Sequence, residues 1–319
     1  DHPTFYSLLL GQWAETDGKA AMTYAQTKLD KNPMFDVGVT SSVLSTWARR
    51  DPGEAWKWFT APEQSEDPSG RARMTVVSAL FAGMAANDLD TAFARVATLD
   101  EQERSTALRG IASSAGDDAS RRRLLERTAA LPPEQQAQIR QNVASQWAMS
   151  DPDAAVAWIR SLPAEEQKPV RESAGQMMLM MKPALGAEVL LEGAADEDKP
   201  GVYDRIAGQW GAQDPKAAGE WLMNQPQGPE LDGARRSFAR VVAQRDPAAA
   251  FDWARSVQDE AQRVESVGEV YQMWRQKDAA AADAALGSSG LPPAQVQQFR
   301  ETKPPQSTGP NRAGSSYGF

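Results

Sequence analysis

Apolar residues return along this chain with a helical period, in short runs that stop at the same kind of corner. Val143, Ala144, Trp147 and Ala148 form one such stripe, and Ile206, Ala207 and Trp210 another. Each run ends at an Asp, usually followed by Pro, and a second apolar run opens with alanines three or four residues later. Ala154 and Ala155, Ala217 and Ala218, and Ala248 to Ala250 are the clearest cases. The Asp side chain can accept from the free N–H groups of a new helix. Pro suits the first helical position, where no N–H is needed and φ is already correct. The chain therefore predicts a first helix, an Asp-Pro corner and a second helix, repeated.

Aromatic residues hold fixed places around that corner. A Trp stands four residues before the Asp and another aromatic seven residues after it, in Trp13…Asp17…Tyr24, Trp47…Asp51…Trp58, Trp147…Asp151…Trp158 and Trp210…Asp214…Trp221. Asp246…Trp253 and Trp274…Asp278 continue the series, and Asp214, Asp246 and Asp278 follow one another at about 32 residues. Degenerate corners fit at Asp88, at Asp117 or Asp118, and at Lys182-Pro183. The expected fold is all-α, an α-α superhelix (solenoid) of about nine helix hairpins of about 32–34 residues. It would occupy residues 1–300 as one elongated body, followed by a Pro/Ser/Gly-rich extension over 301–319.

Several details refine the hairpin. Small residues two places before the first Trp (Gly11, Ser45, Ser145, Gly208) predict close contact with the adjacent repeat. Second helices break at Leu-Pro, as at Leu131-Pro132, Leu162-Pro163 and Leu291-Pro292, and a Glu/Gln-rich first turn then starts the next helix. The last helix begins near Pro293, where it can cap the array.

This hairpin resembles the tetratricopeptide-like α-solenoids, over roughly Phe5 to Phe299, although Trp147 and Trp210 sit in the last turn before the corner rather than early in the first helix. The resemblance implies protein or peptide binding on a concave face and carries over no catalytic residue.

Composition narrows the chemistry. A net charge of −9 and a pI near 4.9 disfavour nucleic acid, which calls for a concentrated basic face. With no Cys and a single His, His2, neither a disulfide, a thiolate metal site nor a Ser–His or Cys–His pair can form in the body of the chain. No cofactor or metal is expected. Apolar runs are far shorter than the roughly 20 residues that span a bilayer, so no membrane insertion is expected. The opening Asp-His-Pro without Met suggests a processed precursor or a trimmed chain, and lack of Cys suits a periplasmic or secreted location, with the cytoplasm as the alternative.

Candidate partner-binding residues are those that leave the core register. Trp56 stands outside it beside Trp58. Gln146 and Gln209, with Gln12, precede the register Trp, and a row of amides can hydrogen-bond an extended peptide. Met177, Met178, Met180 and Met181 replace the Trp pattern in one repeat and suit either an adaptable surface or core filling. Tyr317 and Phe319 end the extension. Arg121 to Arg123 and the pair Arg235 and Arg236 are read as solvated faces, and the register Trp residues as core. The expected function is a non-catalytic scaffold that binds a protein or peptide. The alternatives are a structural subunit of an envelope or membrane-associated complex, with its extension ordered by a partner, and an α/α enzyme acting on glycans. The last needs two facing carboxylates across a cleft, drawn from groups such as Glu165, Glu166 and Asp196 to Asp198.

Overall fold

A computed structural model describes residues 3–28, 33–61 and 71–302. Among them are nineteen α-helices and no strand, and no helix is long and apolar enough to cross a membrane. The chain divides into two compact units, Asp1–Met178 and Leu179–Phe319.

In the first unit the helices pair at corners. α1 (Pro3–Ala14) turns into α2 (Gly18–Lys28), α3 (Pro33–Arg50) into α4 (Pro52–Phe59) and α5 (Arg71–Asn87) into α6 (Leu89–Val96). α7 (Glu101–Ser113) precedes α8 (Asp118–Arg127), α9 (Pro133–Ser150) precedes α10 (Pro152–Ser161), and α11 (Ala164–Met181) runs through the boundary. The second unit continues with α12 (Pro183–Glu192), α13 (Lys199–Gln213) and α14 (Pro215–Met223), then α15 (Asp232–Val242) and α16 (Pro247–Arg255). α17 (Glu260–Arg275), α18 (Ala279–Gly287) and α19 (Pro293–Glu301) close it. The extension beyond Thr302, including Tyr317 and Phe319, lies outside the described residues.

The corner works twice over. The Asp N–H ends the first helix by donating to the carbonyl four residues back: Asp51 to Trp47, Asp151 to Trp147, Asp214 to Trp210 and Asp278 to Trp274, at 2.7–2.9 Å. Its carboxylate then starts the second helix, accepting from the N–H of Glu54, Ala154, Ala217, Ala249 and Ala281 at 2.9–3.0 Å. Such a cap stabilises a helix by about 1 kcal/mol. At the degenerate corners Asp117 caps in the same way and Asp88 accepts one residue earlier, from the N–H of Asp90, whereas Lys182 makes no side-chain cap.

Small residues set the spacing of the hairpin. Ala21, Ala55, Ala92, Ala155, Ala218, Ala250 and Ala282, each four residues after its corner, are fully buried. Beyond them the predicted aromatic pairs meet across the hairpin, Trp47 with Trp58 at 6.2 Å, Trp147 stacked on Trp158 at 5.5 Å, and Trp210 with Trp221 at 5.7 Å. Trp47, Trp147 and Trp210 are buried as their register requires, and their second-helix partners are half-buried.

Within each unit, first helices pack on first helices: α1 on α3, α3 on α5, α5 on α7 and α7 on α9, and likewise α13 on α15 and α15 on α17. Glycines permit that approach. A Cβ on Gly83 would run into the Ser45 carbonyl, and one on Gly110 into that of Ser78. Second helices lie against both their own first helix and the next one, as α14 does against α13 and α15.

Candidate functional site

In the second unit, α14 and α16 both pack against α15, and an open cleft of about 760 Å³ lies between them. Asp214 and Asp246 start the two walls, and different faces of α14 and α16, offset by one residue in register, look into the cleft. Lys216, Gly219, Glu220 and Met223 line one wall. Ala249, Asp252 and Ser256 line the other, and Phe238 and Val242 of α15 with Trp253 of α16 form the floor.

One absent side chain keeps the cleft open. Gly219 stands five residues after its corner, where Met22, Trp56, Val156 and Phe251 stand in other hairpins. A Cβ at Gly219 would already lie 3.2 Å from the Phe238 ring and 3.7 Å from Trp253. Phe238 also fits against Gly211 of α13, and it meets Trp253 edge-on at 5.0 Å. The floor is thus a tightly held aromatic pair, whereas Met223 above it is 61% exposed.

The inner end of the cleft rests on a buried ion pair. Arg235 donates to Asp232 at 2.7 Å, to the Gly228 carbonyl at 3.2 Å and to the Gln227 side chain at 3.0 Å. The Asp232 carboxylate also accepts from the backbone N–H of Gln258 (2.9 Å) and Asp259 (2.8 Å), tying the start of α15 to the loop before α17. Burial by itself would raise the Asp232 carboxyl, but these two N–H groups and the guanidinium outweigh it and hold its pKa below the ordinary value. At the rim, Asp246 is committed to its cap and Asp252 lies 3.7 Å from Arg255. What the site offers is an apolar, aromatic floor on a rigid base, with charges of both signs around its mouth. No protein-family model, curated protein or solved structure matches the chain.

The residues singled out in the sequence fall elsewhere. Trp56 is half-buried in the first unit, 5.6 Å from Phe59 and 6.0 Å from Phe81, with the Arg95 guanidinium 4.7 Å above its ring. It fills the place in its own hairpin that Gly219 leaves empty. Gln146 is half-buried on α9 in the first unit and Gln209 half-buried on α13 in the second. Met178 is buried, Met177 half-buried, and Met180 and Met181 are more than half exposed on α11.

Two further readings change. Arg121 is buried, unlike Arg122 and Arg123, because it stands four residues after its corner where other hairpins carry Ala. Its guanidinium lies 5.2 Å over the Trp147 ring and donates to Ser150 at 2.8 Å. Arg235, read as part of a solvated pair, is the buried partner of Asp232. The cleft itself escaped the sequence reading, and its signal was a Gly at the position where Trp56, Val156 and Phe251 stand in other hairpins.

Proposed function

We propose that this protein is a non-catalytic scaffold, a tetratricopeptide-like α-solenoid of about nine hairpins, that binds an apolar peptide segment in the cleft between α14 and α16. An envelope or secreted location suits its lack of cysteine. The observation that carries the reading is the cleft: Gly219 withholds a side chain and leaves Phe238 and Trp253 as a preformed apolar floor. Along α14 the wall runs from Pro215 to Met223, about 12 Å by helical rise. That length takes one or two turns of a helix or a few residues of extended chain. Exposed Met223 supplies an adaptable contact, and the mixed charges of Lys216, Glu220 and Asp252 set orientation at the rim.

Screening the full chain against a pool of immobilised peptides tests this. Peptides retained should carry one or two large apolar residues. The Met223→Glu variant should lose affinity by about ten-fold or more, since a carboxylate would be placed against the apolar floor. Met149→Glu, at a half-exposed position in the first unit, should bind as the parent does. A pool that retains nothing, or equal binding by both variants, overturns the reading.

A further inference from the structure

The first hairpin presents half of the same cleft. Counted from their corner aspartates, Tyr6, Leu9 and Trp13 of α1 hold the positions of Arg235, Phe238 and Val242 of α15. In α15 those three are 3%, 2% and 5% exposed; in α1 they are 38%, 45% and 39% exposed. The second helix agrees. Asp17, Ala20, Thr23, Tyr24 and Thr27 line an open concavity of about 480 Å³, and they correspond in order to Asp246, Ala249, Asp252, Trp253 and Ser256 of the cleft.

The difference is the preceding hairpin. In the second unit Gly211 and Gly219 of α13 and α14 cover Phe238. In the first unit the start of the second helix of one hairpin covers the register Trp of the next, Gly18 against Trp47 and Arg121 over Trp147. Trp13 has no such cover among the described residues. Ends of helical arrays need a polar outer face, and α19 supplies one for the hairpin α17/α18, where Phe299 lies against Gly268. α1 gathers Leu8, Leu9 and Trp13 at the surface.

The geometry points to an interaction surface on α1 and α2 that takes a further helix hairpin of this same Asp-Pro repeat. Its second helix would lie along α1 and α2 as α14 lies along α15 and α16. The occupant's chemistry follows from the observed layers: an Asp-capped second helix with a small residue four places after the corner, and a small or apolar one five places after, facing Leu9 and Tyr24. A second copy of the chain cannot offer its last hairpin end-on, because α19 covers it. This inference rests on the repeat packing and stands apart from peptide binding at Gly219.

The test fuses residues 199–231, the α13/α14 hairpin with its following loop, ahead of Asp1 of the full chain. The chain has no cysteine, so Trp13→Cys places a single reporter in the half-cleft, at the position that Val242 holds only 5% exposed in the cleft. On fusion, labelling of the introduced thiol should slow by about ten-fold or more, as expected for a site reached only through local opening. Helicity should rise by the added hairpin, and Leu9→Asp should restore fast labelling. Unchanged labelling overturns the proposal, and so does an added segment that stays unstructured by circular dichroism. It is also overturned if the unfused chain forms dimers that Leu9→Asp disperses, since the face would then belong to a second copy.

Discussion

The position five residues after the corner is filled in one hairpin and empty in another. At Trp56 a large ring fills the gap and meets Phe59 and Phe81, with Arg95 stacked above; burial there lowers the Arg95 guanidinium from its ordinary value. At Gly219 the same gap is a cleft over Phe238 and Trp253. The two sites predict opposite effects of exchanging size. Trp56→Gly should destabilise the chain by about 2–4 kcal/mol in denaturant unfolding, because the neighbouring rings cannot collapse into so large a space. Gly219→Leu should fill the cleft and abolish peptide retention, at about 1–3 kcal/mol of overpacking against Phe238. If Gly219→Leu still bound peptide as the parent does, the cleft would not be the site. The sequence could not announce this opening. Hydrophobic periodicity records side chains that are present, and an absent one is visible only when every corner is aligned.

The hairpin was far more legible than the cleft, because its signals are local. Asp-Pro acts through bonds within four residues on either side, so Asp51, Asp151, Asp214 and Asp246 make their corners whatever packs around them. The loops that lead back were less legible. Gln136 reaches back to the Leu131 carbonyl and Gln167 to that of Leu162, at 2.7 and 2.8 Å, and each amide oxygen accepts from the Arg four residues on. Those residues read in the sequence only as a polar first turn. Asp232 and Arg235 were hidden for the same reason, since burial of a charged pair depends on Gln258 and Asp259 a full hairpin away. That pair predicts a pH response. The carboxyl is held below its ordinary pKa in the folded chain, so its stabilisation is complete above the unfolded value of about 4 and is lost as pH falls through the folded value. Asp232→Asn should remove about 3 kcal/mol at neutral pH by leaving Arg235 buried without its counter-charge. It should also flatten the acid limb of the stability profile measured by urea unfolding. An acid limb identical to the parent's would show that Asp232 carries no such linkage.

Because stability in an array passes between neighbours, its ends carry more weight than their size suggests. The second unit closes with α19, none of whose residues is fully buried, yet it covers the face that the hairpin α17/α18 would otherwise expose. The Phe299 ring sits against Gly268 and 6.5 Å from Tyr271, Gln272 donates to the Phe299 carbonyl at 3.0 Å, and Arg275 to that of Arg300 at 3.1 Å. Tyr271 reports on this seal. Burial, and then its 2.6 Å hydrogen bond to Asp283, push its hydroxyl up to about 12, so it stays neutral where an exposed tyrosine ionises near 10. The raised value means that its stabilisation is present below pH 10 and is lost as pH climbs through 12. Ending the chain at Leu291 should uncover about 2–3 kcal/mol of apolar packing at Phe299 and Val296. Amide protection in α17 and α18 should fall while that of α13, two hairpins back, stays as it was. The tyrosinate titration should shift at the same time, with the late-ionising tyrosine moving toward the others as water reaches its ring. Loss of protection spread evenly over both α13 and α17 would instead mean that the unit unfolds as one body, and that its last helix is no separate cap.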